Sequence, residues 1–529
     1  MNLFDGNDPV DFLFRITGTA FTDLLAAVPN LYILGNGGGQ YNHFKRDTQA
    51  LYFQDDWKVT RKLTINYGLR WEYEAPFQAR DKKLMTIDPQ TGLVRYETGA
   101  PLLDILRYPY ETGGPASPYP GKKRTFMPRF GFAYRPFNND RTVVRGGYGI
   151  FFLSEPAYIM QTGSFANPFG GTLAWTPKLH PQDGQSHLAT LDQPPYGYDW
   201  VKGSTLGASW TTNAFDYPRA YMEQWNLTFG HDFGHNLSTE VAYVASQGIN
   251  LNSLTDIRSY DPAVYHKVQA NYPGAGMTVH QKGYNSSYNS LQVSVKKKMS
   301  HGLDFFAAYT WSHGLADSSS DQVNENFAQL PQTEGFADKF HRIHSNAGFD
   351  VRHRLSVYGV YELPFGRGRK WGSHWNGVVD GFAGGWTVNY IYTAQSGFPF
   401  TVYDPSRFLT DRVCDGNLPK SQRTPSRWFD YTCFPTHYLP DGTASVGNAS
   451  PNIIFGPGFN NWDMGIHKTI RISESKNLEF RMEGFNIWNH PQLTASFNNQ
   501  NWFFNTANGA ALASARDQRQ VQFALRFTF

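Results

Sequence analysis

The sequence lacks long hydrophobic runs. Among its 529 residues, no stretch approaches the roughly 20 consecutive apolar residues that a membrane-spanning helix requires. Together with a mean hydropathy of −0.49, this excludes a polytopic helical membrane protein. Charge is also scarce, because Asp, Glu, Lys and Arg make up 17% of the chain, below the roughly 25% of ordinary soluble domains. The 47 Lys and Arg against 44 Asp and Glu leave a net charge of +3, so no nucleic-acid partner is expected.

Cysteine is nearly absent. The two residues present, Cys414 and Cys433, lie in one segment rich in Pro, Asp and Gly, and neither belongs to a Cys-x-x-Cys metal-ligand pair. If that segment faces an oxidising compartment, a disulfide between them is plausible. Two free thiols are the alternative.

Aromatic residues and glycine are abundant, with 30 Tyr, 41 Phe, 14 Trp and 50 Gly. Apolar and polar residues alternate along many segments. In Leu63–Glu74 the odd positions are apolar or aromatic, whereas the even positions are polar or small, and Val521–Phe529 repeats the pattern. Because successive side chains of a strand point to opposite faces, these segments predict a sheet with one apolar and one polar face.

The connections between these strands alternate in length. Short turns lie near residues 60–62, 138–140, 233–236, 300–302 and 473–476, with a somewhat longer connection near 365–368. Long polar segments lie near residues 75–124, 154–219, 249–286, 316–351, 397–458 and 491–516. Short turns at one end and long loops at the other are typical of transmembrane β-barrels.

The predicted fold is therefore all-β, an antiparallel transmembrane β-barrel with short periplasmic turns and long extracellular loops. Residues 49–529 would form the barrel domain, with about 13 strands. At least one further strand is expected before Gln49, for a total of about 14, because bacterial barrels have even strand numbers. Residues 1–48 form an N-terminal segment that the sequence leaves open as helix, strand or loop.

No pattern of catalytic or metal-ligating residues stands out. The densest histidine cluster, His341 to His344 with His353, matches no metal-ligand spacing. The glycine-rich run Gly35–Gly39 lacks the Gly-Lys-Ser/Thr ending of a phosphate-binding loop. We therefore expect no enzyme activity, no metal and no cofactor.

A series of short segments lies along the chain: Tyr52–Thr60, Leu63–Glu72, Pro128–Pro136, Val144–Phe151, Glu240–Gly248, Asp350–Arg354, Tyr361–Gly366, Gln395–Phe400, Asn461–Asp463 and Phe485–Pro491. In this order the segments resemble the barrel of Oar-like TonB-dependent receptors. Each phrase alone is weak, but the series is specific and covers nearly everything from Gln49 onward. The terminal Phe529 resembles the signal by which the outer-membrane assembly machinery recognises a last strand.

The resemblance implies a transporter or receptor of the bacterial outer membrane, embedded in its lipid. Such a receptor binds a large or scarce extracellular ligand through its outer loops, and the TonB complex drives uptake by displacing a plug domain. Aromatic residues of two long loops are the candidate ligand contacts: Tyr196, Tyr198, Trp200, Trp210, Phe398, Phe400 and Tyr403.

The sequence also differs from this family in its N-terminal parts and in its number of strands. The sequence shows no signal peptide, regulatory-like domain, TonB box or plug, and about 14 strands where such receptors resemble barrels of about 22. A C-terminal fragment of a larger receptor is therefore favoured over a complete smaller barrel. A structural, adhesive or porin-like barrel without energy coupling is the alternative function. An outer-membrane enzyme is a third, but it would need a catalytic cluster that the sequence does not show.

Overall fold

A computed structural model describes residues 32–35, 43–100, 109–117, 119–155, 172–175, 209–213, 218–257, 261–272, 276–317, 344–404, 409–442, 444–445, 447–473, 475–494, 502–506, 510–512 and 514–529. Nearly all regular structure in these ranges is β-strand. The α-helices within the described ranges are α1 (Pro262–Asn271) and α2 (Gly377–Ala383), and 3₁₀ turns lie there at Lys420–Gln422 and Tyr431–Cys433. Within the described ranges, no helix has the length and apolarity needed to cross a membrane.

The strands are numbered in chain order. The first fifteen are β1 (Tyr32–Gly35), β2 (Phe44–Lys45), β3 (Thr48–Lys58), β4 (Leu63–Glu74), β5 (Gln78–Ala79), β6 (Met85–Ile87), β7 (Val94–Glu97), β8 (Tyr110–Gly114), β9 (Phe126–Tyr134), β10 (Thr142–Phe152), β11 (Thr172–Trp175), β12 (Ser209–Asn213), β13 (Tyr221–Gly234), β14 (Leu237–Asp256) and β15 (Gly276–Ser300). The others are β16 (Leu303–Ala316), β17 (Ser345–Asn346), β18 (His353–Glu362), β19 (Trp386–Gln395), β20 (Pro399–Tyr403), β21 (His437–Tyr438), β22 (Ala444–Ser445), β23 (Ile454–Phe455), β24 (Phe459–Arg471), β25 (Asn477–Phe485), β26 (Leu493–Thr494), β27 (Trp502–Phe504), β28 (Ser514–Ala515) and β29 (Gln520–Thr528).

One large sheet dominates the structure. Its hydrogen-bonded path runs β3-β4-β9-β10-β13-β14-β15-β16-β18-β19-β24-β25-β29, thirteen strands of which every neighbouring pair is antiparallel. Strands β12 and β17 attach beside β15 and β16. The predicted all-β, antiparallel architecture is confirmed.

Connections at the two ends of this sheet differ as the sequence predicts. At one end, which we call the turn side, tight connections join β3 to β4, β13 to β14, β15 to β16 and β24 to β25. At the opposite end, the loop side, the long connections carry the short strands and α1. Two strands exceed the expected length, because β14 has 20 residues and β15 has 25, and both extend into the loop side.

The two faces of the sheet differ in chemistry, and each face is continuous across strands. One cross-strand row is apolar through seven neighbouring strands: Tyr134, Val144, Phe229, Val241, Val293, Tyr309 and Leu355. A row on the opposite face is mostly polar: Arg145, Thr228, Ala242, Gln292, Thr310, Arg354 and Gln395. Many side chains of the apolar face are exposed, among them Phe229 and Trp311, as expected of a face that contacts lipid.

The two terminal strands of the path, β3 and β29, each pair on one side only within the described residues. An odd number of antiparallel strands makes both run from the loop side to the turn side. Pairing β3 directly with β29 would therefore be parallel. The sheet is not closed into a barrel, and the strands described before Thr48 do not join it: β1 pairs with β11, and β2 pairs with β5.

Candidate ligand-binding face

The loop side is folded into packed layers. The first, which we call cap A, combines the β4–β9, β10–β13 and β14–β15 connections. Its buried core consists of Met85, Ile87, Val94, Tyr96, Ile257, Val264, Val268, Tyr272, Met277 and Val279. The small sheet β6-β7-β8 packs there against α1, which Asp261 caps by accepting a hydrogen bond from the Val264 amide. Two separate loops, the β4–β9 and β14–β15 connections, thus share one hydrophobic core. Strand β12 of the β10–β13 connection joins them by pairing in parallel with β15.

Tyr272 connects two of the loops in cap A. Its buried hydroxyl accepts a hydrogen bond from the Val94 amide at 2.8 Å and donates one to the Pro109 carbonyl at 2.6 Å. Burial raises the pKa of this phenol to about 12, so the hydroxyl keeps its proton. Lys267 and Asn271 of α1 add hydrogen bonds to the carbonyls of Pro89 and Thr91.

Glu97 is a buried carboxyl group in cap A. The side chain is buried, and its Oε2 atom has no hydrogen-bond partner. Burial raises the pKa of this carboxyl, while the Leu84 backbone and the charge of Lys82 partly offset the effect. A buried carboxylate without full pairing costs free energy in its charged form.

A second layer, which we call cap B, combines the β19–β24 and β25–β29 connections. Its core consists of Phe400, Val402, Phe429, Cys433, Phe434, Ile454 and Ala510. A disulfide joins Cys414 to Cys433. Strand β20 pairs in parallel with β27, and the Trp428 amide donates to the Ala510 carbonyl at 2.9 Å. Two loops far apart in sequence therefore form one folded unit.

Cap B is also tied to the β16–β18 connection. The side-chain amide of Asn346 donates to the Asn452 carbonyl at 2.9 Å, and that of Asn452 donates to the Asn346 carbonyl at 2.8 Å. His344 contacts Asp317 in the same connection, with Nδ1 to Oδ1 at 2.6 Å. The paired asparagine contacts therefore join cap B to β17.

Five ionisable side chains form a mostly buried cluster where cap A meets the sheet. This cluster, which we call the clasp, consists of Arg46, Glu74, Glu155, Arg219 and Lys282. The Glu74 carboxylate lies 3.3 Å from Arg46 and 3.0 Å from Arg219, and Lys282 lies 2.5 Å from Glu155. The clasp joins Arg46 before β3, the end of β4 and the outer part of β15 to both ends of the β10–β13 connection.

The structure separates the predicted ligand contacts. Phe400 and Tyr403 are 5% and 1% exposed and belong to the interior of cap B, and Phe398 packs beside its core. Trp210 lies in β12, which runs parallel to β15 in cap A. Tyr196, Tyr198 and Trp200 lie outside the described residues. The seven residues are thus divided between the two caps and the undescribed part, and their contact with a ligand stays a prediction.

Other apolar side chains of cap B do reach the surface. Val413, Tyr438 and Leu439 are exposed, and Tyr438 is 63% exposed. Sequence patterns do not single them out, because they stand in a polar segment without periodicity. The nearby cysteine pair is the sequence feature that points to this part of the loop. In the structure the Val413 amide donates a hydrogen bond to the Cys433 carbonyl.

The described residues offer no metal site, as no three His, Cys, Asp or Glu side chains converge there. A groove of about 480 Å³ runs along β3, β4 and β9 beside the unpaired edge, with Tyr52, Gln54, Arg70 and Arg129 among its lining residues. Its mixed polar and aromatic lining suits a wall of a barrel interior rather than a catalytic centre.

A family model of the outer membrane beta barrel domain matches residues 2–522. The chain belongs to this outer-membrane β-barrel family. This places the protein in the bacterial outer membrane, with the apolar face of its sheet toward lipid, the turn side toward the periplasm and both caps outside the cell. No curated protein sequence matches the chain.

Several solved outer-membrane proteins are similar in structure to this barrel chain. The ferripyoverdine receptor of Pseudomonas aeruginosa has 11% identity and a TM-score of 0.42, over 93% of this chain and 40% of that one. The transporter YddB of Escherichia coli has 9% identity and a TM-score of 0.46, over 92% and 45%. The ferric-catecholate import receptor Fiu of Escherichia coli has 12% identity and a TM-score of 0.40, over 92% and 45%. The chain spans less than half the length of each.

Proposed function

We propose that this chain is the barrel part of an Oar-like TonB-dependent receptor that takes up a large or scarce ligand. The observation that carries the proposal is the folding of the loop side into caps A and B. Each has its own hydrophobic core, and cap B also has a disulfide. A surface ordered before binding loses less conformational entropy when it captures a ligand.

The strand topology is compatible with a larger barrel in the full receptor. Thirteen strands lie on the path, and antiparallel closure requires an odd number of additional ones. A barrel of about 22 strands needs 22 − 13 = 9, which is odd. These strands, a plug and a segment that contacts TonB would come from residues outside the described ones or from a longer polypeptide.

We further propose that the ligand contacts the outer surfaces of the two caps. Val413, Tyr438 and Leu439 supply exposed apolar area on cap B. Tyr196, Tyr198 and Trp200 remain candidates from the sequence, whereas Phe400 and Tyr403 would act by supporting the shape of the cap. The bond chemistry of an enzyme has no part in this proposal.

The test uses native outer membranes of the source bacterium. An antibody against cap B would give the size of the whole polypeptide, and crosslinking in living cells would show whether that polypeptide contacts TonB. We expect a band well above 59.9 kDa and a crosslinked adduct that disappears when the proton-motive force is collapsed.

A planar-bilayer measurement on the protein purified from those membranes separates the alternatives. A plugged receptor gives no steady conductance, whereas a porin-like barrel conducts continuously. A 59.9 kDa band with open conductance and no TonB adduct would refute the proposal in favour of a porin. The same band with no conductance and with attachment to surfaces would favour an adhesive barrel.

A further inference from the structure

The connection between β18 and β19 differs from the other turn-side connections. It spans residues 363–385 and contains α2, and we call it the periplasmic connector. Asn376 caps the start of the helix, since its side chain accepts a hydrogen bond from the Val379 amide at 2.8 Å. A helix this short has few paired backbone groups, so its stability depends on contacts with the rest of the protein. A tight turn would be enough to connect the two strands.

The connector is fastened to the apolar face of the sheet. Trp386, Lys468 and Phe480 are cross-strand neighbours on that face, and the rings of Trp386 and Phe480 meet edge to face at 6.0 Å. The indole nitrogen of Trp386 donates to the Phe382 carbonyl at 2.8 Å. The helix therefore lies beside the face that contacts lipid, at the periplasmic end.

Lys468 completes this attachment. Its ammonium group donates to the Asp380 carbonyl at 3.0 Å and to the Gly384 carbonyl. The side chain is buried, and Nζ also lies 5.5 Å from the centre of the Trp386 ring. A lysine on a lipid-facing row is costly unless its charge is paired. In this protein the carbonyl oxygens at the end of α2 supply that pairing.

The outward side of α2 is apolar. Phe382 is 78% exposed and Val378 is 70% exposed, one helical turn apart, and α2 has no buried residue. Trp371 and Phe365 are exposed in the same connector, with their rings 5.3 Å apart. Exposed apolar surface of this kind is unfavourable in water and marks a site of contact with lipid or another protein.

Cations surround the apolar residues. The connector holds Arg367, Arg369 and Lys370 against a single carboxylate, Asp380, and that carboxylate already accepts a hydrogen bond from the Arg367 amide at 2.7 Å. Arg369 pairs with Glu362 at 2.7 Å. Two exposed cations beside exposed aromatic rings match a bilayer surface that carries anionic headgroups.

Other residues of the turn side indicate that the turn side lies at the membrane surface. The other five turn-side connections or their adjacent strand ends also expose large apolar side chains, among them Trp57, Phe137, Phe233, Met299 and Ile472. In transmembrane barrels such side chains mark the border between the hydrocarbon and the headgroups. The connector thus lies at the level of the periplasmic leaflet.

We propose that the periplasmic connector is a lipid anchor. Phe382 and Val378 insert among the upper acyl chains of the periplasmic leaflet, while Arg367 and Lys370 bind anionic phospholipid headgroups. The anchor rests on the outer-membrane location and is independent of whether the barrel transports a ligand.

The test uses single reporter cysteines in the full chain, whose own two cysteines are joined in a disulfide. Phe382→Cys and a control in cap B, Lys420→Cys, each receive an environment-sensitive fluorophore. The purified proteins are reconstituted in vesicles of phosphatidylcholine with or without phosphatidylglycerol, and parallel samples are labelled in native outer membranes.

We expect the Phe382→Cys label to be blue-shifted, quenched by lipids brominated high on the acyl chain, and at least tenfold less sensitive to aqueous iodide than the cap B label. Removing phosphatidylglycerol, or combining Arg367→Gln with Lys370→Gln, should increase iodide quenching at that site only. Equal iodide quenching at both sites in native membranes would overturn the proposal. Protection in native membranes but not in either vesicle would also overturn it and would indicate a periplasmic protein as the covering partner.

Discussion

Opening the Cys414–Cys433 disulfide should loosen cap B and leave the rest of the molecule unchanged. The bond joins residues 19 positions apart, and it connects the surface segment at Val413 to the buried core around Phe434. The bond also lies entirely within the β19–β24 connection. Any constraint that it imposes therefore acts on the opening of this cap.

The magnitude follows from loop closure. A closed loop of 19 residues removes enough chain entropy from the open state to stabilise the closed one by about 3 kcal/mol. This is roughly a hundredfold change in the opening equilibrium. Cys433 is buried in the core of cap B, and we expect its thiol to keep this packing after reduction, so the entropic effect should dominate.

Hydrogen exchange followed by mass spectrometry measures this directly. Reduction should speed exchange about a hundredfold at the amides of Val413 and Phe434, which are hydrogen-bonded within cap B. Cap A has no cysteine and serves as an internal control, and a Cys414→Ala/Cys433→Ala variant should match the reduced protein. Unchanged cap B exchange after both thiols are shown to be free would refute the reasoning. Equal acceleration in cap A would show that the caps are not independent.

Three further predictions concern the packed loops. Phe434→Ala should cost cap B about 3–5 kcal/mol through the cavity that it leaves, seen as faster exchange at Trp428 but not in cap A; an unchanged rate would mean that the core collapses without cost. Glu97→Gln should stabilise cap A at neutral pH. Because the folded-state pKa of Glu97 is raised, native stability falls as pH rises from the ordinary glutamate pKa through the folded-state pKa. The variant should lose this pH dependence of the unfolding free energy, measured by urea titrations at several pH values. An identical pH dependence in the variant would contradict the raised pKa of Glu97. Glu74→Gln should cost about 3–5 kcal/mol because it leaves two clasp arginines without their shared carboxylate; thermal unfolding unchanged from wild type would argue against the clasp.

The large sheet could be predicted well from the sequence because the physical rule behind it is local. In Leu63–Glu74 each residue shows its face by its own polarity, and β4 is found at those bounds. Short polar turns such as residues 300–302 are likewise visible. The lengths of β14 and β15 are harder to predict from the sequence. Their outer parts pack in cap A rather than against lipid, and both strands continue beyond the expected length.

The candidate site is harder to predict for a physical reason. Phe398, Phe400 and Tyr403 have the composition of a binding surface, but a loop long enough to fold buries its own aromatics first. Phe400 and Tyr403 accordingly lie inside cap B. The clasp is also invisible in the sequence, because its members are far apart along the chain and no local pattern joins Arg46 to Arg219.

Alternation of side chains and of connection lengths therefore predicts the antiparallel sheet, its two faces and its turn and loop sides without any tertiary information. The side-chain alternation depends only on neighbouring residues and on the two-residue period of a strand, and the connection lengths are read directly along the chain. Only the tertiary structure decided that the long loops form two capped layers, that Lys468 donates to carbonyl oxygens at the end of α2, and that the terminal strands run in the same direction. These features depend on contacts between segments distant in sequence, and the sequence carries no local record of them.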